Sequence, residues 1–176
     1  MIKTIFIAGI YGVGKDYLCD IVSKKLRIKK YSASQLISAK NSEDYSVNKQ
    51  VKNLNDNQKI LVEEVKELIN KFGRIILTGH MCILNKDLDI EILPNEVFQS
   101  LDITHMILLK NSPDIIKSNL LKRDNKIYNV DLIRSFQQKE EQLFLKVTER
   151  INCKNIIINL QYNSEDESKF ERFLEE

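Results

Sequence analysis

The feature that most constrains this chain is the segment Gly9-Ile10-Tyr11-Gly12-Val13-Gly14-Lys15. The apolar run Thr4–Ala8 precedes it, and Lys15–Leu26 follows with Leu18, Ile21, Val22 and Leu26 at helical spacing. A buried strand feeding a glycine-rich turn and then a helix is a construction for holding anions. Glycines let successive backbone N–H groups turn inward around phosphate oxygens without Cβ clashes. The helix N-terminus adds the positive end of its dipole. Lys15 is the one cation that the spacing itself fixes.

The spacing fits G-x-x-x-x-G-K, a phosphate-binding loop short of its last position. That reading assigns Gly9, Tyr11, Gly12, Val13, Gly14, Lys15, Asp16 and Tyr17 to a bound triphosphate, with Lys15 reaching its β and γ groups. Asp16 stands where Ser or Thr ordinarily binds Mg²⁺, so a metal ligand supplied there is a carboxylate.

Strand-like and helix-like patterns alternate along the rest of the chain. Residues 27–32, 75–78, 103–109 and 155–160 read as further strands. A stripe of Val47, Val51, Leu54, Leu61, Val65 and Leu68 marks a long helix, which Gly73 ends. Ser112-Pro113-Asp114 opens another, with a capping serine, a proline in the first turn and an acid at the positive end. A helix over 131–151 should bury Leu132, Phe136, Leu143, Val147 and Ile151. Ser164 to Glu167 reads as a capping box for a terminal helix that turns Phe170, Phe173 and Leu174 inward. Residues 40–46 read as the most mobile loop and 83–99 as the next loosest stretch. Continuous apolar strands between helices predict a parallel sheet covered on both faces.

Composition narrows the partners. The 176 residues make about one domain. Net charge is +2, from 27 basic and 25 acidic side chains, so bulk electrostatics gives no case for nucleic acid or an anionic membrane. No apolar run approaches the ~18 residues of a membrane span. The opening residues lack a small-residue cleavage site and run straight into the glycine loop, which places the protein in the cytoplasm. Cys19, Cys82 and Cys153 are too scattered for a disulfide framework or a structural zinc site. Asn85-Lys86-Asp87-Leu88-Asp89 approximates a guanine-specificity motif but carries Leu88 where the aspartate must be, so a GTPase reading fails.

The ordered set of segments resembles the P-loop kinase group that includes adenylate, shikimate and gluconate kinases. It is most similar to small bacterial AAA-family ATP-binding proteins with a nucleoside-monophosphate-kinase-like core. The matching pieces are Gly9 to Lys15, residues 31–37, Leu77-Thr78-Gly79-His80, and residues 108–114 leading to Lys122-Arg123-Asp124. The resemblance implies a P-loop NTPase fold, three-layer α/β/α, with a five-stranded parallel sheet in the order 2-3-1-4-5. It implies a single domain over 1–176, with an acceptor-binding region at about 31–70 and a short lid at about 117–131.

The same resemblance implies ATP and Mg²⁺, with γ-phosphoryl transfer to a small molecule, a nucleotide or nucleoside. Lys15, Arg123 and His80 are then the catalytic candidates. Adenylate kinases carry arginine at the place of Ser38, aspartate at Thr78, and arginines near Cys82 and Asn119. All four are missing, which removes the support for AMP as acceptor.

Several residues keep two readings. Ser32 and Ser34 either contact an acceptor or cap the following helix. Asn57 and Gln58 interrupt the apolar stripe, which points Gln58 at the acceptor cleft or out to solvent. His80 contacts phosphate or acceptor, or is structural; His105, inside a strand, is packed. Tyr162 lies where related folds place the adenine. Cys82 reads as a small buried hydrophobe. The loss of Ser/Thr at 16 and of the acid at 78 leaves a second function open: a nucleotide-binding regulatory or partner subunit with weak hydrolysis or none. A protein partner is compatible with either.

Overall fold

The computed structural model describes residues 1–41, 54–94 and 96–175. Its elements in chain order are β1 (Thr4–Ala8), α1 (Lys15–Leu26), β2 (Lys29–Ser32), α2 (Ala33–Asn41), α3 (Leu54–Phe72), β3 (Ile75–Thr78), β4 (Cys82–Leu84), β5 (Ile90–Ile92), α4 (Glu96–Ser100), β6 (Ile103–Lys110), α5 (Pro113–Asp124), α6 (Val130–Ile151), β7 (Lys154–Asn159) and α7 (Ser164–Glu175). Five strands form one sheet in the order β2-β3-β1-β6-β7, and every neighbouring pair is parallel. Counted within that sheet alone, this is the expected 2-3-1-4-5.

Both faces of the sheet are covered. β1 and β3 are buried at every position. Register pairs Ile5 with His105 and Phe6 with Met106, and alternate residues of a strand face opposite sides. On one side Phe98 of α4 meets Phe6, ring centroids 5.4 Å apart. On the other, Phe173 of α7 meets His105 at the same separation. The layers are therefore α/β/α. The carboxyl ends of β1 and β3 lead into the glycine loop and residues 79–81, the crevice where open α/β sheets bind ligands.

Some elements depart from the sequence reading. β2 starts at Lys29 rather than 27, because Arg27 takes φ 53° and donates its N–H to Ser23 and Lys24 as the C-cap of α1. Residues 82–92 form the β4–β5 hairpin and 96–100 form α4, where the sequence reads as a loose stretch. The Asn85 side chain accepts from the backbone N–H groups of Asp87 and Asp89, each at 2.9 Å, so the motif that approximated a specificity sequence is a hairpin turn. The cap of α7 is Asn163, whose Oδ1 accepts from Glu165, and not Ser164. On α6 the buried stripe uses Ile133 rather than Leu132 and includes Glu140. Ser112 caps α5 as expected. Gly73, at φ 77°, follows the last turn of α3. Residues 42–46, Val47 and Val51 lie outside the described residues. Among the described residues, no helix is long and apolar enough to cross a membrane.

Candidate active site

The glycines are required by their surroundings. Gly12 has φ 75°, and a Cβ there would fall 2.8 Å from Cγ of Leu120 on α5. Gly14 has φ 111°, and its Cβ would meet Leu160 at 2.9 Å and the Tyr162 hydroxyl at 3.0 Å. The loop is thus wedged between α5 and the end of β7, in a conformation that other residues resist. Lys15 Nζ donates to the carbonyl oxygens of Gly9 and Ile10, which holds the ammonium over the loop.

Polar side chains brace the loop from outside. Asn119 on α5 donates to the Gly12 carbonyl at 2.9 Å. The Tyr162 hydroxyl donates to the Val13 carbonyl at 3.4 Å and accepts from Asn111 and Asn119 at 3.0 and 3.1 Å. Tyr162 itself takes φ 56°, with its N–H and that of Gln161 held by the Asp166 carboxylate. Its ring lies edge-on to Tyr17, 4.9 Å away. Asn111 is a site residue that sequence reasoning missed. Asn119 entered that reading only as the place of an absent arginine. Their sole sequence signal is an amide on a face that turns inward.

A larger omission is Glu140. It is fully buried on α6, beneath the loop. Its carboxylate accepts from the N–H of Gly9, Met81 and Cys82, each at 3.0 Å, and from the Cys82 thiol at 3.3 Å. One side chain therefore ties the start of the phosphate loop to the segment after β3. Burial pushes the Glu140 carboxyl above the usual carboxylate range, while the Met81 N–H, the Lys15 charge and Cys82 pull it back. Burial, with Glu140 adjacent, also drives the Cys82 thiol up, so the thiol stays protonated and donates.

Two cavities meet at this floor. One, of about 330 Å³, is lined by the glycine loop, Lys15, Asp16, Tyr17, Asn119, Arg123 and Tyr162. The second, of about 140 Å³, runs between β3, α2, α3 and α4 and has mainly apolar walls. Lys15, Ser32, Ser34, Thr78 and His80 line both. Ser32 and Ser34 bond each other at 2.9 Å. Asn57 and Gln58 face the second cavity. The His80 ring stands edge-on to Tyr11 at 4.4 Å. The Tyr11 ring also packs on Phe136, and burial raises its pKa while the hydrogen bond to the Leu84 backbone pulls it back. Tyr11 lines the first cavity, and its ring packs between His80 and Phe136.

The remaining charged candidates stand at the rim. Arg123 makes a bidentate pair with Asp124, at 2.6 and 2.5 Å, and that contact raises its pKa. The exposed Asp16 carboxylate is 3.6 Å from Lys30 Nζ, and Lys30 also pairs with Asp20 at 2.6 Å. Among the described residues no three His, Cys, Asp or Glu side chains gather as a metal site. His105 is packed: burial lowers its pKa, and Nδ1 lies 3.0 Å from the Thr104 hydroxyl.

A parallel sheet in this order, with a glycine loop after β1, is the α/β fold of P-loop kinases. The chain belongs to the AAA domain family, whose profile matches residues 8–137. Similar solved structures include a sugar kinase from Janibacter sp. HTCC2649, with 14% identity, TM-score 0.64 and coverage of 99% of this chain and 95% of that one. The shikimate kinase from Acinetobacter baumannii, in complex with shikimate, is 13% identical with TM-score 0.64 and coverage of 99% and 92%. A gluconokinase from Sinorhizobium meliloti 1021 is 11% identical with TM-score 0.60 and coverage of 98% and 91%. No curated protein matches the chain.

Proposed function

We propose that this protein is a small-molecule kinase that transfers the γ-phosphoryl of ATP to a hydroxyl of a nucleotide or nucleoside. The observation that carries this reading is the meeting of the two cavities at Lys15, Ser32, Ser34, Thr78 and His80. A space lined by the glycine loop and an apolar space sharing one polar floor suit a donor and an acceptor that react there. The γ-phosphorus gains a bond to the acceptor oxygen and loses its bond to the β–γ bridging oxygen, releasing ADP. The acceptor proton passes to the His80 imidazole.

Phosphoryl transfer is mostly positioning and stabilisation of spread negative charge. The loop N–H groups and Lys15 hold the triphosphate, and Arg123 adds charge from the lid at about 117–131. Tyr17 and Tyr162 flank the loop on the side given to the base. Region 31–70 holds the acceptor through Ser32, Ser34 and Gln58. Mg²⁺ ordinarily uses one or two carboxylates plus phosphate oxygens and water. Asp16, a single exposed carboxylate on the phosphate cavity, fits that donor set. The ion when bound would neutralise phosphate charge.

Incubation with labelled ATP and an acceptor panel, with no-acceptor controls, tests the function. Label appearing in a phosphorylated acceptor supports it. ATP binding without transfer to any acceptor overturns it in favour of the regulatory or partner-subunit reading, to which Asp16 and Thr78 also conform.

A further inference from the structure

The second cavity has a chemistry of its own. Phe6, Leu61, Val97, Phe98 and Leu101 form its buried body. A carboxylate or phosphate placed among them would lose its hydration without a compensating partner. Among the described residues the polar groups are at two places: the shared floor, and the start of α3 with Asn57 and Gln58. Gln58 Nε2 is buried and has no hydrogen-bond partner among the described residues. A buried donor left in that condition is costly, and a ligand carbonyl or ring nitrogen relieves it. Of the described residues lining both cavities, Lys15 is the cation at the floor, and the triphosphate already claims it; Arg123 lines the phosphate cavity alone. Among the described residues, a second phosphate brought to the floor would therefore add anionic charge without a cation of its own.

We propose that the acceptor is an uncharged nucleoside rather than a nucleotide or a sugar acid, an inference that rests on the kinase reading above. The base fills the apolar body and gives a carbonyl or ring nitrogen to Gln58 Nε2. The sugar hydroxyl lies on the floor formed by Ser32, Ser34, Thr78 and His80. That hydroxyl oxygen takes the γ-phosphoryl, ADP leaves, and the hydroxyl proton goes to His80. The cavity, about 140 Å³, is some ten times the ~10–15 Å³ that one water needs on the same measure, which leaves room for a ring.

The test is calorimetric titration of the full chain without ATP, using thymidine, uridine, cytidine, adenosine and guanosine. Each is paired with its 5′-monophosphate, and shikimate and gluconate are the carboxylate probes. At least one nucleoside should saturate, and bind about tenfold or more tighter than its monophosphate and than either acid. Gln58→Met, close in shape but without the donor, should weaken that nucleoside about tenfold. Gln58→Glu, which replaces the donor with an acceptor, should weaken it at least as much; thermal melting establishes that each variant is folded. Monophosphates or acids binding as tightly as the best nucleoside would overturn the proposal. So would the absence of any saturating nucleoside, or unchanged affinity in both folded variants. A separate ATP titration keeps the two readings apart. Loss of ATP binding by the wild type removes the kinase reading, whereas ATP binding with no nucleoside binding removes only the present inference.

Discussion

Lys15 carries the sharpest expectation at the residue scale. Its ammonium is placed over the loop by the Gly9 and Ile10 carbonyls, so it needs little reorganisation to meet a phosphate. Lys15→Ala should weaken ATP binding at least about tenfold, or about 1.4 kcal/mol. Unchanged affinity by calorimetry in a folded variant would remove the triphosphate assignment. Asp16 presents the opposite sign to the phosphates. A carboxylate on that wall repels them unless a cation stands between, so metal-free ATP should bind much more weakly than Mg-ATP. Lys30, 3.6 Å away, offsets part of that repulsion, although the pair is exposed and screened. Asp16→Ser should therefore narrow the gap between affinities measured in EDTA and in Mg²⁺, by improving the metal-free state. An equal metal effect in the two proteins would mean that Asp16 serves Lys30 and the dipole of α1 instead.

At the scale of elements, α6 does more than cover the sheet. Glu140 accepts from three backbone N–H groups and a thiol, all of them donors. Glu140→Gln offers one oxygen and turns an NH₂ toward groups that also donate. It should destabilise the fold by roughly 1–3 kcal/mol, the cost of a buried donor left unmade, and lower ATP affinity with it. Urea denaturation alongside calorimetry reads both. An unaltered variant would show that the loop is held without α6. This residue was barely visible beforehand, because its partners are backbone groups that only the tertiary fold brings together. The one sign was a charge at a position where the apolar stripe of α6 required a hydrophobe. β1, β3 and most of β6 were legible for the converse reason: buried between the two helical layers, they leave largely apolar runs. The three-residue strands of the β4–β5 hairpin are too short to show a period. The α7 layer carries a pH dependence through His105, which packs against Phe173. Burial, with Lys154 and the N-terminus nearby, lowers its pKa, so the folded state binds that proton less readily than the unfolded chain. Its contribution is complete above about pH 6.5 and declines as pH falls below that. Between pH 7.5 and 5 the stability of His105→Gln should fall less steeply than that of wild type, and parallel slopes would exclude the residue as the source.

At the scale of the whole molecule, the site is a junction. The ends of β1 and β3, the helices of region 31–70, and the α5–α6 corner each bring one wall. The interruption at Asn57-Gln58 marked in the sequence two polar residues that line the second cavity, since a polar pair on an apolar stripe needs a polar destination. The clamp of Asn111, Asn119 and Tyr162 was not readable, because ordinary amides acquire that role only where α5 crosses the loop. Arg123 belongs to the same corner and is committed to Asp124 through a bidentate pair. To act on a transferring phosphoryl it must exchange one carboxylate for another anion, which ties its contribution to closure of the corner over the phosphate cavity. A cation that engages late stabilises charge in the transition state more than in the bound ground state. Arg123→Ala should therefore lower kcat roughly tenfold to a hundredfold, while ATP affinity changes by less than about threefold. Asp124→Asn, which weakens the competing pair, should leave kcat at or above the wild-type value. Equal losses in kcat and ATP affinity for Arg123→Ala would make the arginine a ground-state phosphate ligand. A fall in kcat for Asp124→Asn would mean that the pair orients Arg123 for the reaction instead of competing for it.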